Sequence, residues 1–241
     1  MEQFYTLFEQ IFTQNGLQSY VTEQNAATYE RLCTHILEVN KIHNLTAIRD
    51  VPGVFAKHFA DSLTVAAYIP ESATVIDVGT GGGFPTLPLA VARPDLRITA
   101  IDSTAKKIVH VQNTARLFGL EHVNAIACRA EELAQTDKRE SFDIATARAV
   151  SELRILCEIT LPFVKVGGKL LAMKGASADK ELSDAMAAIT KLGGKIEHVH
   201  KFTLKDADGN EEERCILEIR KIAPTPNNFP RQYAQILKKP L

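Results

Sequence analysis

The sequence predicts an α/β protein: a seven-stranded, mostly parallel sheet with helices on both faces, a C-terminal antiparallel hairpin and an N-terminal helical cap. Three observations carry this. From position 74 onward, short β-rich runs alternate with helical segments. Two final β-rich runs flank "KDADGNEE", a turn rich in Asp, Gly and Asn. Four of the thirteen glycines fall between positions 79 and 83, directly after the first β-rich run.

The elements follow in order. Phe4, Leu7, Phe8, Ile11 and Phe12 recur at helical spacing, as do Tyr29, Leu32, Cys33 and Ile36, and then Phe55, Phe59, Leu63 and Ala66. The aromatics read as an apolar packing face rather than a platform for nucleic-acid bases. Residues 1–70 are thus a helical cap. The runs "TVIDV" (74–78), "RITAID" (97–102), "NAIAC" (124–128), "FDIATA" (142–147) and "KLLAM" (169–173) predict five parallel strands. Ser103 or Thr104 is placed to cap the helix after the second strand and Gly119 to stop it, and "ADKELSDAMAAITKLGG" predicts a last helix ending at Gly193. "KIEHVHKFTL" and "ERCILEIRKI" pair as the hairpin. The core spans 71–222, and the proline-broken basic tail, 223–241, is expected to lie over the surface of what is a single structural domain overall.

Composition sets the class. In 241 residues, 45% hydrophobic and 24% charged side chains suit one globular core. No apolar stretch approaches the ~20 residues of a membrane span, and "MEQFYTLFEQIF" lacks a basic leader region, so a cytoplasmic address is expected; the chain is expected to act as a monomer. Cys33, Cys128, Cys157 and Cys215 are scattered without metal-ligand spacing; reduced, packed thiols are expected, with neither disulfide nor metal. The net charge of −1 excludes a surface basic throughout, yet it is polarised: residues 1–30 carry four acids and no Lys or Arg, residues 221–241 four cations and no acid. A polyanion should approach the C-terminal side.

The glycines identify the ligand class. A glycine-rich turn between a parallel strand and its helix lets a ligand approach bare backbone. A dinucleotide fingerprint, G-x-G-x-x-G, fails because the sixth position from Gly79 is Phe84. Asp77-Val-Gly79-Thr-Gly81-Gly-Gly83 instead resembles motif I of the Rossmann-like class I S-adenosylmethionine-dependent methyltransferases. Asp102, closing the second strand, can then accept both ribose hydroxyls, although NAD sites use an acid there too and Asp102 alone does not discriminate, and Ala130 and Glu131 after the third strand would hold the adenine; Glu131 has an alternative as a solvated acid at a helix N-terminus. After the fourth strand the chain reads "TARAVSEL". This offers Arg148, and neither an Asn-Pro-Pro-aromatic motif nor a nucleophilic Cys; Cys157, nine residues beyond Arg148, fits an apolar helix face.

"DVGTGGGFPTLPLA", "IDSTAKK", "CRAEEL", "TARAVSEL" and "FPR", in that order, with "NKIHNLTAI" and "FAKHFADSL" upstream, resemble the bacterial small-subunit ribosomal RNA guanine-N7 methyltransferase family, also known as glucose-inhibited division protein B. The resemblance implies S-adenosyl-L-methionine as methyl donor and a guanine in the 530 loop of 16S rRNA as acceptor, in the 30S subunit or an assembly intermediate. It implies that Asp77, Gly79, Gly81, Phe84, Asp102, Ser103, Thr104, Ala130, Glu131 and Arg148 form the cofactor site. Arg148 would position the reactants without acting as a general base, and Phe84 or Arg148 would hold the guanine. Lys106, Lys107, Arg231, Lys238 and Lys239 would face the RNA, although Lys106 and Lys107 have an alternative as a solvated helix face. His58 and Asp61, one helical turn apart, either bond each other or meet substrate. After "FPR" the chain departs from the family's lysine, alanine and Gly-Thr-Pro continuation, reading "QYAQILKKPL". Two other readings remain open from the residues: a Rossmann-like domain that binds nucleotide or RNA without catalysis, and a small-molecule or protein methyltransferase.

Overall fold

The structure, a computed structural model, describes residues 2–241. Helices α1 (Glu2–Gln14) and α2 (Glu23–His43) open the cap. Thr22 caps α2 by accepting the Asn25 N–H, and Asn44 ends it in the left-handed region, φ 47. Next comes one uninterrupted helical stretch: α3 (Val51–Gly53), a π-helical segment Val54–Ala60, and α4 (Asp61–Leu63). The Phe55, Phe59, Leu63 spacing predicts an ordinary helix here; the wider π turn is a departure, and such turns recur at functional sites.

Phe8, Phe12, Tyr29, Phe55 and Phe59 are all buried at 1% exposure or less, so they are core, as their spacing predicts. Each such side chain contributes about 1.5–3 kcal/mol relative to exposure. Their cluster continues into Val75, Leu87 and Leu171, so the cap is seated on one face of the sheet. The Tyr29 hydroxyl donates to the Pro88 carbonyl at 2.8 Å and satisfies the one polar atom of that buried ring.

The sheet has seven strands in the order β3-β2-β1-β4-β5-β7-β6. β1 (Thr74–Val78) and β2 (Arg97–Asp102) coincide with their sequence runs. β3 is Val123–Ala127, β4 Phe142–Arg148 and β5 Val164–Lys174. β5 starts five residues before "KLLAM" because Gly167 and Gly168 interrupt its apolar pattern without interrupting the strand. β6 (Gly194–Lys205) and β7 (Glu211–Lys221) form the expected antiparallel hairpin, and β7 also pairs antiparallel with β5. The crossover helices are α5 (Thr86–Ala92), α6 (Ala105–Leu117), α7 (Ala130–Leu133), α8 (Leu153–Thr160) and α9 (Ala178–Lys191). Cys157 is buried in the second apolar cluster with Leu156, Ile189 and Leu217.

The tail is more deeply built in than a surface covering. Phe229 is 3% exposed and Ile236, in α10 (Tyr233–Lys238), is fully buried. Arg231 reaches Glu158 of α8, a carboxylate with no exposure, at 2.5 Å. Lys221 is also wholly buried, donating to the Leu161 and Val164 carbonyls and to Thr225. Two of the four C-terminal cations are therefore internal fastenings, which the charge count alone does not distinguish.

Candidate active site

β1 and β4 lie side by side at the centre of the sheet, and the chain leaves their carboxyl ends toward opposite sides, opening a crevice between the two loops. An open cleft of about 1010 Å³ occupies it. Its floor is the glycine loop. Gly79 has φ 77, and a Cβ there would fall 2.6 Å from Val150, which belongs to the loop after β4; Gly81 has φ 59 and lines open space. The sequence places glycine where side chains would jam the two loops together or fill the cleft.

Asp77 does not line the cleft, contrary to its expected place in the cofactor site. It is 1% exposed and accepts the Thr86 hydroxyl at 2.7 Å, supporting the loop from beneath. Burial raises its pKa, opposed by the hydroxyls of Thr86 and Thr80 and by the Arg148 charge. Asp102 does line the cleft. Its two oxygens accept the Gly81 N–H at 3.0 Å and the Thr104 N–H at 2.8 Å, so the carboxylate is fixed while each oxygen keeps a further lone pair. Thr104 occupies the N-cap position of α6 without a side-chain cap bond. Ser103, Thr104, Ala130 and Glu131 line the same wall, and Lys107 joins them; Lys106 points to solvent instead.

Arg148 ends β4 and reaches across to the cap. Its Nη1 donates to the Lys57 carbonyl at 2.9 Å and to Asp61 at 3.0 Å, and its Nη2 lies 3.2 Å from His58 Nδ1. A guanidinium can only donate, so His58 Nδ1 accepts and Nε2 carries the proton, given to Thr46 Oγ1 at 2.7 Å. Desolvation, then the Arg148 charge, lowers the His58 pKa to about 3. His58 and Asp61 do not bond each other; they meet through Arg148. The His58 ring also stacks on Phe84, centroids 4.1 Å apart and planes 8° from parallel. Phe84 lines the cleft at 5% exposure, with the His58 ring covering one of its faces. The left-handed Ala149, φ 54, turns the chain immediately after Arg148.

Sequence reasoning missed several members. Arg214, in β7, binds the second Asp61 oxygen at 3.0 Å, and Lys57 pairs with Glu212. Lys174 and Glu181 brace the loop after β4: Lys174 donates to the Ser151 carbonyl at 2.6 Å and to Glu181 at 2.7 Å. These partners come from strands and helices far along the chain and leave no local spacing to read; the π turn carrying Lys57 and His58 is likewise invisible in the periodicity. Cys128 also lines the cleft, with burial pushing its thiol up to about 11. Of the residues expected to meet RNA, Lys238 and Lys239 are exposed, whereas Arg231 is held by Glu158. Away from the cleft, Glu197, His198 and Glu218 bring ligand atoms within 4.8 Å, a grouping that their sequence spacing does not announce; Arg220 and Lys169 already bind its carboxylates.

Residues 25–210 match the family model described as rRNA small subunit methyltransferase G. "Ribosomal RNA small subunit methyltransferase G" of Leuconostoc citreum is 44% identical over 226 residues, covering 92% of this chain and 93% of that protein. The protein of the same name from Geobacillus kaustophilus is 41% identical over 239 residues, 98% of each. The chain belongs to this family. It is thereby an S-adenosylmethionine-dependent methyltransferase of small-subunit rRNA. Among solved structures, TYW2 of M. jannaschii in complex with AdoMet superposes with a TM-score of 0.56 at 17% identity over 73% of this chain and 80% of that one. Ribosomal protein L11 methylase from Lactobacillus delbrueckii gives 0.53 at 16% identity over 69% and 79%. These show the shared fold. Among the described residues, no helix is long and apolar enough to cross a membrane.

Proposed function

We propose that this chain methylates N7 of a guanine in the 530 loop of 16S rRNA, in the 30S subunit or an assembly intermediate, as a cytoplasmic monomer. The site suits S-adenosylmethionine: bare backbone at Gly81, a fixed carboxylate at Asp102 with lone pairs left for a ribose diol, and the loop after β3 alongside for the adenine. Bound there, the cofactor supplies a methyl group activated on a sulfonium.

The observation that carries the N7 reading is the state of His58. Among the described residues it is the one histidine lining the cleft, and its free lone pair is taken by Arg148. A ring held neutral down to about pH 3 by burial and an adjacent cation is a poor general base. Cys128, its thiol raised to about 11, is a poor nucleophile. Guanine N7 needs neither, because it presents an in-plane lone pair without a proton. What remains for the protein is alignment, which can contribute up to ~7–11 kcal/mol. Arg148, fixed by Asp61, His58 and the Lys57 carbonyl, makes a rigid wall for that purpose, while Lys107 and the exposed Lys238 and Lys239 offer charge to phosphates.

The test is transfer of labelled methyl from S-adenosylmethionine to 30S particles lacking the modification, followed by mapping of the modified nucleotide. Label confined to one 530-loop guanine at N7 supports the reading. Label on another base, or on ribosomal protein, rejects it.

A further inference from the structure

The tail that departs from the family pattern returns to the cleft. Tyr233, the first residue of α10, lines it beside Cys128, Arg129, Ala130 and Glu131, the loop after β3. Its ring is half-buried, and the Arg129 guanidinium lies 5.5 Å from its centroid, within cation–π range. The segment is anchored on both sides of this residue. Before it, Arg231 binds the buried Glu158 with two side-chain nitrogens and its backbone N–H, and Gln135 donates to the Pro230 carbonyl. After it, Ile236 is fully buried against the second apolar cluster, and Arg231 Nη1 closes the turn on the Lys239 carbonyl at 3.0 Å. Tyr233 is thus held at the cleft wall by fastenings that are independent of any ligand.

We infer that the C-terminal helix completes the cofactor site, with Tyr233 as an aromatic wall against which the adenine packs. The inference rests on the cofactor reading above and extends it to a residue outside the family's motifs. A purine presents a flat π-face, and the two protein groups meeting at this end of the cleft are an aromatic ring and a guanidinium, both of which stack on such faces. Lys57, Arg148, Lys174 and Arg214, which line the cleft, are paired with carboxylates, whereas Arg129 is turned onto Tyr233. The "QYAQIL" segment therefore places an aromatic ring at this end of the cleft.

The chain contains no tryptophan, so Tyr233→Trp makes a single-tryptophan reporter. Titration with S-adenosylhomocysteine, with adenosine alone and with methionine alone should quench its emission in the first two cases and leave it unchanged in the third. Leu237→Trp, on an exposed position of the same helix, should respond to none. Calorimetry should show Tyr233→Ala binding S-adenosylhomocysteine roughly tenfold more weakly, in line with the loss of one aromatic–base stack, and Tyr233→Phe within about twofold of the parent. If the parent protein does not bind S-adenosylhomocysteine, the cofactor reading itself fails. If the parent binds but Tyr233→Trp is silent, or Tyr233→Ala binds as tightly as the parent, the role of Tyr233 is overturned while the cofactor reading stands.

Discussion

Asp61 holds Arg148 and Arg214 on its two carboxylate oxygens, each at 3.0 Å, so one buried acid of α4 ties the end of β4 to the antiparallel strand β7. The Asp61 side chain is 9% exposed and the Arg148 and Arg214 side chains 14% and 22%. Three elements distant in sequence are clamped at the mouth of the cleft by a cap residue.

Asp61→Ala leaves two cations short of their shared partner. Removing one member of a buried ion pair costs about 3–5 kcal/mol, the upper end being reduced here by partial solvent access to Arg214. Urea unfolding should show a loss of about 3 kcal/mol, and single-turnover methyl transfer should slow further than the lost folded fraction explains. Unchanged turnover in the folded fraction would separate the clamp from catalysis.

Asp102→Ala removes the partner of two loop N–H groups and, on the proposed reading, the acceptor for the ribose hydroxyls. S-adenosylmethionine affinity should fall by about 1.5–3 kcal/mol, the range for hydrogen bonds to a charged group. Calorimetry reads this directly, and unaltered affinity would remove Asp102 from the site.

The tail's cations should divide into two classes. Arg231→Ala strands the buried Glu158 carboxylate, at a cost of about 3 kcal/mol in stability. Lys238→Ala with Lys239→Ala should leave the unfolding midpoint in place and instead flatten the salt dependence of RNA binding, by about 0.7 in the log–log slope for each phosphate no longer neutralised. Denaturant titration and filter binding at several salt concentrations distinguish the two.

Much of the fold was legible because its signals are local. β1 and β2 are short apolar runs bounded by turns, the cap's aromatics repeat at helical spacing, and the glycine loop announces a ligand by its cost in entropy. The position of Asp102 and Arg148 at the cleft was legible because both close strands at the carboxyl edge of the sheet. Arg214, Lys174 and Glu181 were not, since their roles exist only once β5, β7 and α9 are assembled. The burial of Arg231 and Lys221 was hidden for the same reason: a basic residue in sequence looks alike whether it faces phosphate or a buried glutamate.

Two buried histidines contribute to the acid sensitivity of the fold. Burial, then Arg148, lowers His58 to about 3; burial, then His35 and His43, lowers His110 to about 4. The unfolded chain binds protons at these rings from about pH 6.5 downward while the folded one does not, so stability is fully present above that pH and is lost as pH falls toward those values. The slope is about 1.4 kcal/mol per pH unit per ring. Urea midpoints at pH 5 and pH 7 should therefore differ, and His110→Asn should narrow the difference by about 2 kcal/mol relative to the parent.

The same chemistry bears on the reaction, where N7 requires no proton removal and His58 offers no base. Single-turnover methyl transfer to 30S particles, measured between about pH 6 and pH 8 with RNA binding held constant, is predicted to vary little with pH, and Arg148→Ala to lower the rate without introducing a slope. A slope of one in log rate against pH would show that a proton leaves the acceptor before the methyl arrives, and would contradict methylation at N7.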